Sequence, residues 1–266
     1  MNSLSPQPDP TTRDIPPVAN TSTSSTRGPA PLRPSRIWAT ALGTGVVAAL
    51  ASWFAGEATL GAFVPPPKAM IPGPLGGTTP VMLAAQLATD IKNTALNYGL
   101  CGAILGLSLG LAGAGAAASP RRVPLASATG LVLGGGAAAG MAAALTPVFQ
   151  RYFEPAAPSM LLSLLILGGI WTATGAACGL AFGLGLGGRE VVARTLWGGA
   201  FGAIVATVVF ELIYAIAFPL AGSEQLVLST GPSRLVASFC IALFTAGGAA
   251  WSTHTPRDRV ALAPPP

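Results

Sequence analysis

Read from its first residue, the chain alternates between long apolar runs and short polar breaks rather than between single apolar and polar positions. Six runs stand out, at about 37–63, 81–118, 125–149, 160–188, 195–219 and 233–253. Each is near or above the roughly 20 residues that an α-helix needs to cross a bilayer core. Because each run is apolar on every face, these helices belong among lipid and other helices rather than on the surface of a soluble domain. The expected fold class is all-α: a polytopic membrane protein of six transmembrane helices. The second run is too long for one straight crossing. Its first part, from Thr79-Pro80 to Lys92, starts like a capped helix and carries Asp90 and Lys92, so it is expected to lie along the interface before the span proper.

The runs repeat. The second contains Cys101-Gly102-x3-Gly106-x3-Gly110 and the fourth contains Cys178-Gly179-x3-Gly183-x3-Gly187, while the sixth has a decayed form, Cys240-Ile241-x3-Thr245-x3-Ala249. The odd-numbered runs align on the proline that follows each, in Phe63-Val64-Pro65, Phe153-Glu154-Pro155 and Phe218-Pro219. Twenty residues before these prolines stand Gly45, Gly135 and Gly199, and eight before them stand Glu57, Pro147 and Glu211. The expectation is three helical hairpins, at about 37–118, 125–188 and 195–253, related by an axis along the membrane normal. Their small-x3-small ridges would serve helix packing. The same ridges are candidate surfaces for membrane-protein partners or a homo-oligomer.

Composition narrows the class further. Of 266 residues, 51% are hydrophobic and 9% charged, too little charge to cover a water-facing surface. Residues 1–35 are rich in Pro, Ser and Thr and cannot bury enough surface to offset ordering entropy, so a disordered tail is expected there. The transmembrane domain is expected over 36–255, with a short tail at 256–266. No apolar stretch precedes Ile37, so a cleaved signal peptide is not expected. The net charge of +5 comes from basic residues scattered singly or in pairs, without the stripe that would track phosphates, so nucleic acid is not an expected partner. The lipid bilayer is.

The basic residues instead carry topology. With the N-terminus inside, one face collects ten of the fourteen Lys and Arg residues, Arg36, Arg121, Arg122, Arg189 and Arg194 among them; the other holds Lys68, Lys92, Arg151 and Arg234. This bias predicts an integral protein of the plasma or an inner membrane with both termini cytoplasmic. Trp38, Trp197 and Trp251 fall near the same boundary, where an aromatic belt is expected.

Among side chains that could carry chemistry, Glu57 and Glu211 lead, because a carboxylate within a span is costly unless neutral, paired or hydrated. Eight residues before the proline is about 12 Å along a helix, somewhat inside the outer boundary. Lys92 and Arg234 begin the next helix of each hairpin and are the candidate ion-pair partners. The bland reading is that both glutamates snorkel or form structural pairs; the functional one is an outward-facing polar vestibule that binds a cation or relays protons. The three cysteines could offer thiolates to a soft metal, but no His or Met accompanies them and small apolar packing explains them better, so no metal or other cofactor is expected.

Gly106-Leu107-Ser108-Leu109-Gly110 matches a G-x-S-x-G pattern, which invites comparison with rhomboid-type proteases. The only histidine, His254, sits beyond the last span, so the base that a nucleophile needs is lacking and no enzyme is expected. The Gly134-Gly135-Gly136 run is followed by no Lys-Ser/Thr and preceded by no strand, which excludes a phosphate-binding loop. Three two-span repeats are also the layout of mitochondrial carriers. Their P-x-[DE]-x-x-[KR] signature is missing, since Pro147 is followed by Val148 and Phe149. What remains is a small transporter or channel or, nearly level with it, a structural or assembly protein whose Gly/Ala-packed bundle is closed.

Overall fold

The computed structural model describes residues 34–70, 77–152, 160–218 and 230–254. The expected tails at 1–33 and 255–266, and the anchors Phe153, Glu154, Pro155 and Pro219, lie outside them. Every long element is a helix: α1 (Pro34–Ala58), α2 (Pro80–Ala116), α3 (Val123–Thr129), α4 (Gly135–Tyr152), α5 (Met160–Leu186), α6 (Arg189–Ala217) and α7 (Gly231–Trp251). A π-helical turn, Gly130–Gly134, joins α3 to α4, so Pro120–Tyr152 forms one continuous span. The described residues thus hold six helices long and apolar enough to cross a membrane, with mean hydropathy from 1.4 to 2.1. Their outward faces agree with a lipid setting: Phe201, Ile204, Val208 and Leu212 run down one side of α6, all exposed. A contiguous apolar stripe of this kind is tolerated in hydrocarbon and is a liability in water.

Two boundaries depart from the sequence-based expectation. The second run does not divide into an interfacial segment and a span. α2 is unbroken over 37 residues, about 56 Å at 1.5 Å per residue, because nothing between Pro80 and Gly99 interrupts the ladder. Thr79 caps it, its Oγ1 accepting from the Met82 N–H, and Pro80 occupies the first turn, where a missing N–H costs nothing. The fifth run likewise starts earlier than expected, at Arg189. There Gly187 and Gly188 have φ of +88° and +98°, a backbone region open to glycine, and they reverse the chain between α5 and α6. Gly187 therefore belongs to this turn and not to the ridge of α5. Arg122 closes the turn, its Nη1 donating to the Leu186 carbonyl at 2.5 Å.

Neighbouring helices meet in a regular order. α2, α5 and α7 stand at the centre, with α2 against α5 most extensively. α1 lies against α2 and α7, the α3–α4 span against α2 and α5, and α6 against α5 and α7. The contacts of α2 with the α3–α4 span, of α5 with α6 and of α6 with α7 are made backbone to backbone. Cβ atoms added at Gly102 and Gly106 would fall on the carbonyls of Gly134 and Gly130, and one at Gly110 on that of Ala126. Gly175 stands in the same way against Gly199, Gly179 against Thr195, and Gly202 against Phe244. In hydrocarbon no hydrophobic force draws one apolar helix to another, so close backbone approach supplies the dispersion energy that holds them. The π-helical turn falls where Gly130 and Gly134 press on α2. Pro147, inside α4, removes one helical donor, a loss that buried spans tolerate. Buried Thr146, Thr174, Thr195 and Thr207 each donate to the carbonyl four residues back, so they need no partner across the bundle.

Gly106→Leu should force α2 and the Gly130 turn apart at a cost of about 1–3 kcal/mol or more. Gly115→Ala, where an added Cβ meets nothing within 4 Å, should leave stability unchanged. Thermal unfolding of the two variants in detergent distinguishes them; equal midpoints would refute the packing argument.

Candidate functional site

The bundle has two polar ends and an apolar middle. Leu105, Leu109, Ile170, Cys178 and Phe182 fill the middle and are fully buried. At the arginine-rich end, α1 is tied to the chain after α7 and to the end of α2. Trp38 Nε1 donates to His254 Nε2 at 3.0 Å with the two rings stacked, and Arg36 Nη2 donates to the Gly115 carbonyl at 3.0 Å. His254 is therefore bonded to Trp38, and no hydrogen bond among the described residues joins it to Ser108.

At the opposite end, α1 and α7 are clasped by side chains. Arg234 donates through Nε to Glu57 Oε1 at 2.7 Å and through Nη2 to Oε2 at 2.9 Å, a two-pronged pair that fixes direction as well as charge. Trp53 Nε1 donates to the Gly231 carbonyl at 3.2 Å. Between these helices the glycine contact is looser than elsewhere. A Cβ on Gly45 would meet the Ala246 Cβ at 3.3 Å, whereas at the α2–α4 and α5–α6 contacts it would meet backbone well inside contact distance. Polar side chains hold this seam where backbone approach holds α2 to α4, α5 to α6 and α6 to α7.

Behind the clasp lies a cavity of about 50 Å³, enclosed by α1, α2, α5 and α7. α1 contributes Ser52, Trp53 and Gly56; α2 contributes Asn97, Tyr98 and Cys101; α5 contributes Trp171; α7 contributes Arg234 and Ser238. Each pair in Ser52–Gly56, Asn97–Cys101 and Arg234–Ser238 is four residues apart, so each lies on one face of its helix. Asn97 reaches across to α1 because Gly56 has no side chain: a Cβ there would stand 3.1 Å from Asn97 Nδ2.

The four residues singled out from sequence are not arranged hairpin by hairpin. Glu57 pairs with Arg234 across the seam between the first and last spans, and its side chain is 30% exposed. Lys92 pairs with neither glutamate. Its Nζ sits 5.9 Å over the Phe63 ring, while neighbouring Asn93 holds the Phe63 backbone through both its N–H and its carbonyl, each at 3.0 Å. Glu211 is buried, only 8% exposed, on the same stretch of α6 where the rings of Phe210 and Tyr214 meet. Neither salt bridge among the described residues, Arg234–Glu57 nor the exposed Arg194–Glu190 pair, involves it. A further polar contact, Gln150 Nε2 to Asp90 Oδ2 at 2.7 Å, ties α4 to α2 at this same end.

The cysteines separate. Cys101 lines the cavity, Cys178 is fully buried with its thiol directed at the Gly102 carbonyl at 3.8 Å, and Cys240 is buried in α7. Among the described residues no three of His, Cys, Asp and Glu gather as metal ligands would.

Sequence reading found the charged members of this site and missed Ser52, Trp53, Asn97, Tyr98 and Ser238. The four-residue spacing of polar groups inside apolar runs was the available signal. Comparison with known proteins finds no matching family model, no similar curated protein and no similar solved structure.

A double-mutant cycle on Glu57→Gln and Arg234→Gln, read by unfolding in detergent, should give a coupling of about 0.5–3 kcal/mol. The cycle on Glu57→Gln and Lys92→Gln should give none.

Proposed function

We propose that this integral membrane protein is a small transporter whose vestibule opens on the face opposite the arginine-rich end, with both termini cytoplasmic. The observation that carries this reading is the polar cavity behind the Glu57–Arg234 clasp. It is a space for a few waters or a small solute, where polar side chains from α1, α2 and α7 converge, whereas the buried threonines elsewhere in the spans bond within their own helices. A transmembrane ionisable residue that faces the interior rather than lipid is a mark of function, and buried Glu211 meets that description.

The order of helices supports three hairpins of common ancestry around one axis, the central member of each being α2, α5 and α7. Parallel repeats of this kind place a binding site near their common axis, where the repeats meet. The structure of the middle fits a closed state: with Leu105, Leu109 and Phe182 in the core, passage to the arginine-rich face requires rearrangement of the central helices.

That same apolar middle favours the second reading, in which the bundle is a scaffold that binds partner helices and moves nothing. The two separate in purified vesicles. Under the transport reading, wild-type vesicles become permeable to at least one of a panel of protons, small monovalent ions and small neutral solutes, followed by light scattering or a pH-sensitive dye. Glu57→Gln and Glu211→Gln should each change that rate at least ten-fold. Wild-type vesicles as tight as empty ones to every solute would leave the scaffold reading standing.

A further inference from the structure

We infer that the cavity takes a small monovalent oxyanion on Arg234, and that Glu57 is a built-in competitor for it. This rests on reading the cavity as a vestibule and names what enters it.

The argument is one of charge and donors. Of the residues lining the cavity, Arg234 alone is charged, and neither Glu57 nor Glu211 is among them. Around it stand an amide, a phenol and two hydroxyls, from Asn97, Tyr98, Ser52 and Ser238. The amide, the phenol and the Ser52 hydroxyl can donate hydrogen bonds, while Ser238 Oγ already donates to the Arg234 carbonyl at 2.9 Å, and a guanidinium presents a planar fork that matches two oxygens of a carboxylate or nitrate. Glu57 already shows the mode of binding: its two oxygens take Nε and Nη2 at 2.7 and 2.9 Å. It approaches from the exposed side, where its side chain remains 30% accessible while that of Arg234 is 16% accessible. An anion that replaced it would exchange one carboxylate-like partner for another and leave the guanidinium paired throughout. This avoids the large cost of stranding a charge away from water. Release of Glu57 would remove one of the side-chain ties between α1 and α7 and leave Trp53–Gly231 and Trp38–His254 in place, so binding loosens the seam without parting it. A cavity of about 50 Å³ has room for an ion of a few heavy atoms such as nitrate or formate.

The test uses the fluorescence of Trp53 and Trp171, which both line the cavity. The full chain, purified in neutral detergent, is titrated with sodium nitrate at constant ionic strength set by sodium gluconate, and again with the potassium salts. The wild type should show a saturable change that is the same for both cations. Glu57→Gln should bind nitrate at least ten-fold more tightly, because the competitor is gone. Arg234→Gln should lose the change, and Arg234→Lys, which keeps the charge without the fork, should weaken it while confirming a folded protein. Lys92→Gln alters charge outside the cavity and should match the wild type. No saturable change in either wild type or Glu57→Gln, unchanged affinity in Glu57→Gln, or a response that follows the cation overturns the proposal. A response to vesicles of anionic lipid in place of nitrate would assign the guanidinium to a lipid phosphate and overturn it equally. Nitrate binding without flux in vesicles would sink the transport reading alone, and flux without nitrate binding would sink this one alone.

Discussion

Everything in this bundle depends on how closely two helical backbones can approach where no side chain separates them. In the contacts of Gly102 with Gly134 and of Gly106 with Gly130, each helix offers bare backbone to the other, and the same occurs between Gly175 and Gly199. Lipid competes on equal terms for any leucine surface, so association comes from the density of contact that small residues permit. The arrangement of outer helices around α2, α5 and α7 follows from which faces carry those residues.

One seam is made differently. Between α1 and α7 the nearest approach at a glycine is of the Ala246 side chain to Gly45, and polar clasps stand at both ends: Glu57 with Arg234 and Trp53 with Gly231 at one, Trp38 with His254 at the other. Close backbone contact cannot be undone without losing packing over a whole face, whereas a clasp can exchange one partner for another. The α1–α7 seam, clasped by side chains, thus differs from the glycine-packed contacts α2–α4, α5–α6 and α6–α7. The cavity lies directly behind the clasped one.

Glu211 is the unresolved energetic tension of the structure. Its neighbours Phe210 and Tyr214 belong to an aromatic series that runs from Trp171 through Phe210 and Tyr214 to Phe218, with successive ring centroids 5.4 to 5.7 Å apart. The burial of the Glu211 carboxyl carries a desolvation cost that neither salt bridge among the described residues offsets.

The sequence by itself determined the membrane class, the number of apolar helices and most of their ends. Those properties follow from hydrophobic length, from Thr79-Pro80 as a cap, and from backbone groups that must be paired within each helix where no water is present. It also marked Glu57, Glu211 and Arg234, because a charge in an apolar run is conspicuous in one dimension. It misjudged α2, whose charges at Asp90 and Lys92 suggested a break that an uninterrupted ladder of good helix formers does not make. Only the tertiary structure decided the partners. Pairing by hairpin would have joined Glu211 to Arg234 and Glu57 to Lys92. Closing the ring brings α7 against α1, and the guanidinium takes the carboxylate that arrives across that seam. The reason is geometric: spacing along a chain states which face of a helix a residue occupies, and only the packing of all six spans states which face it meets.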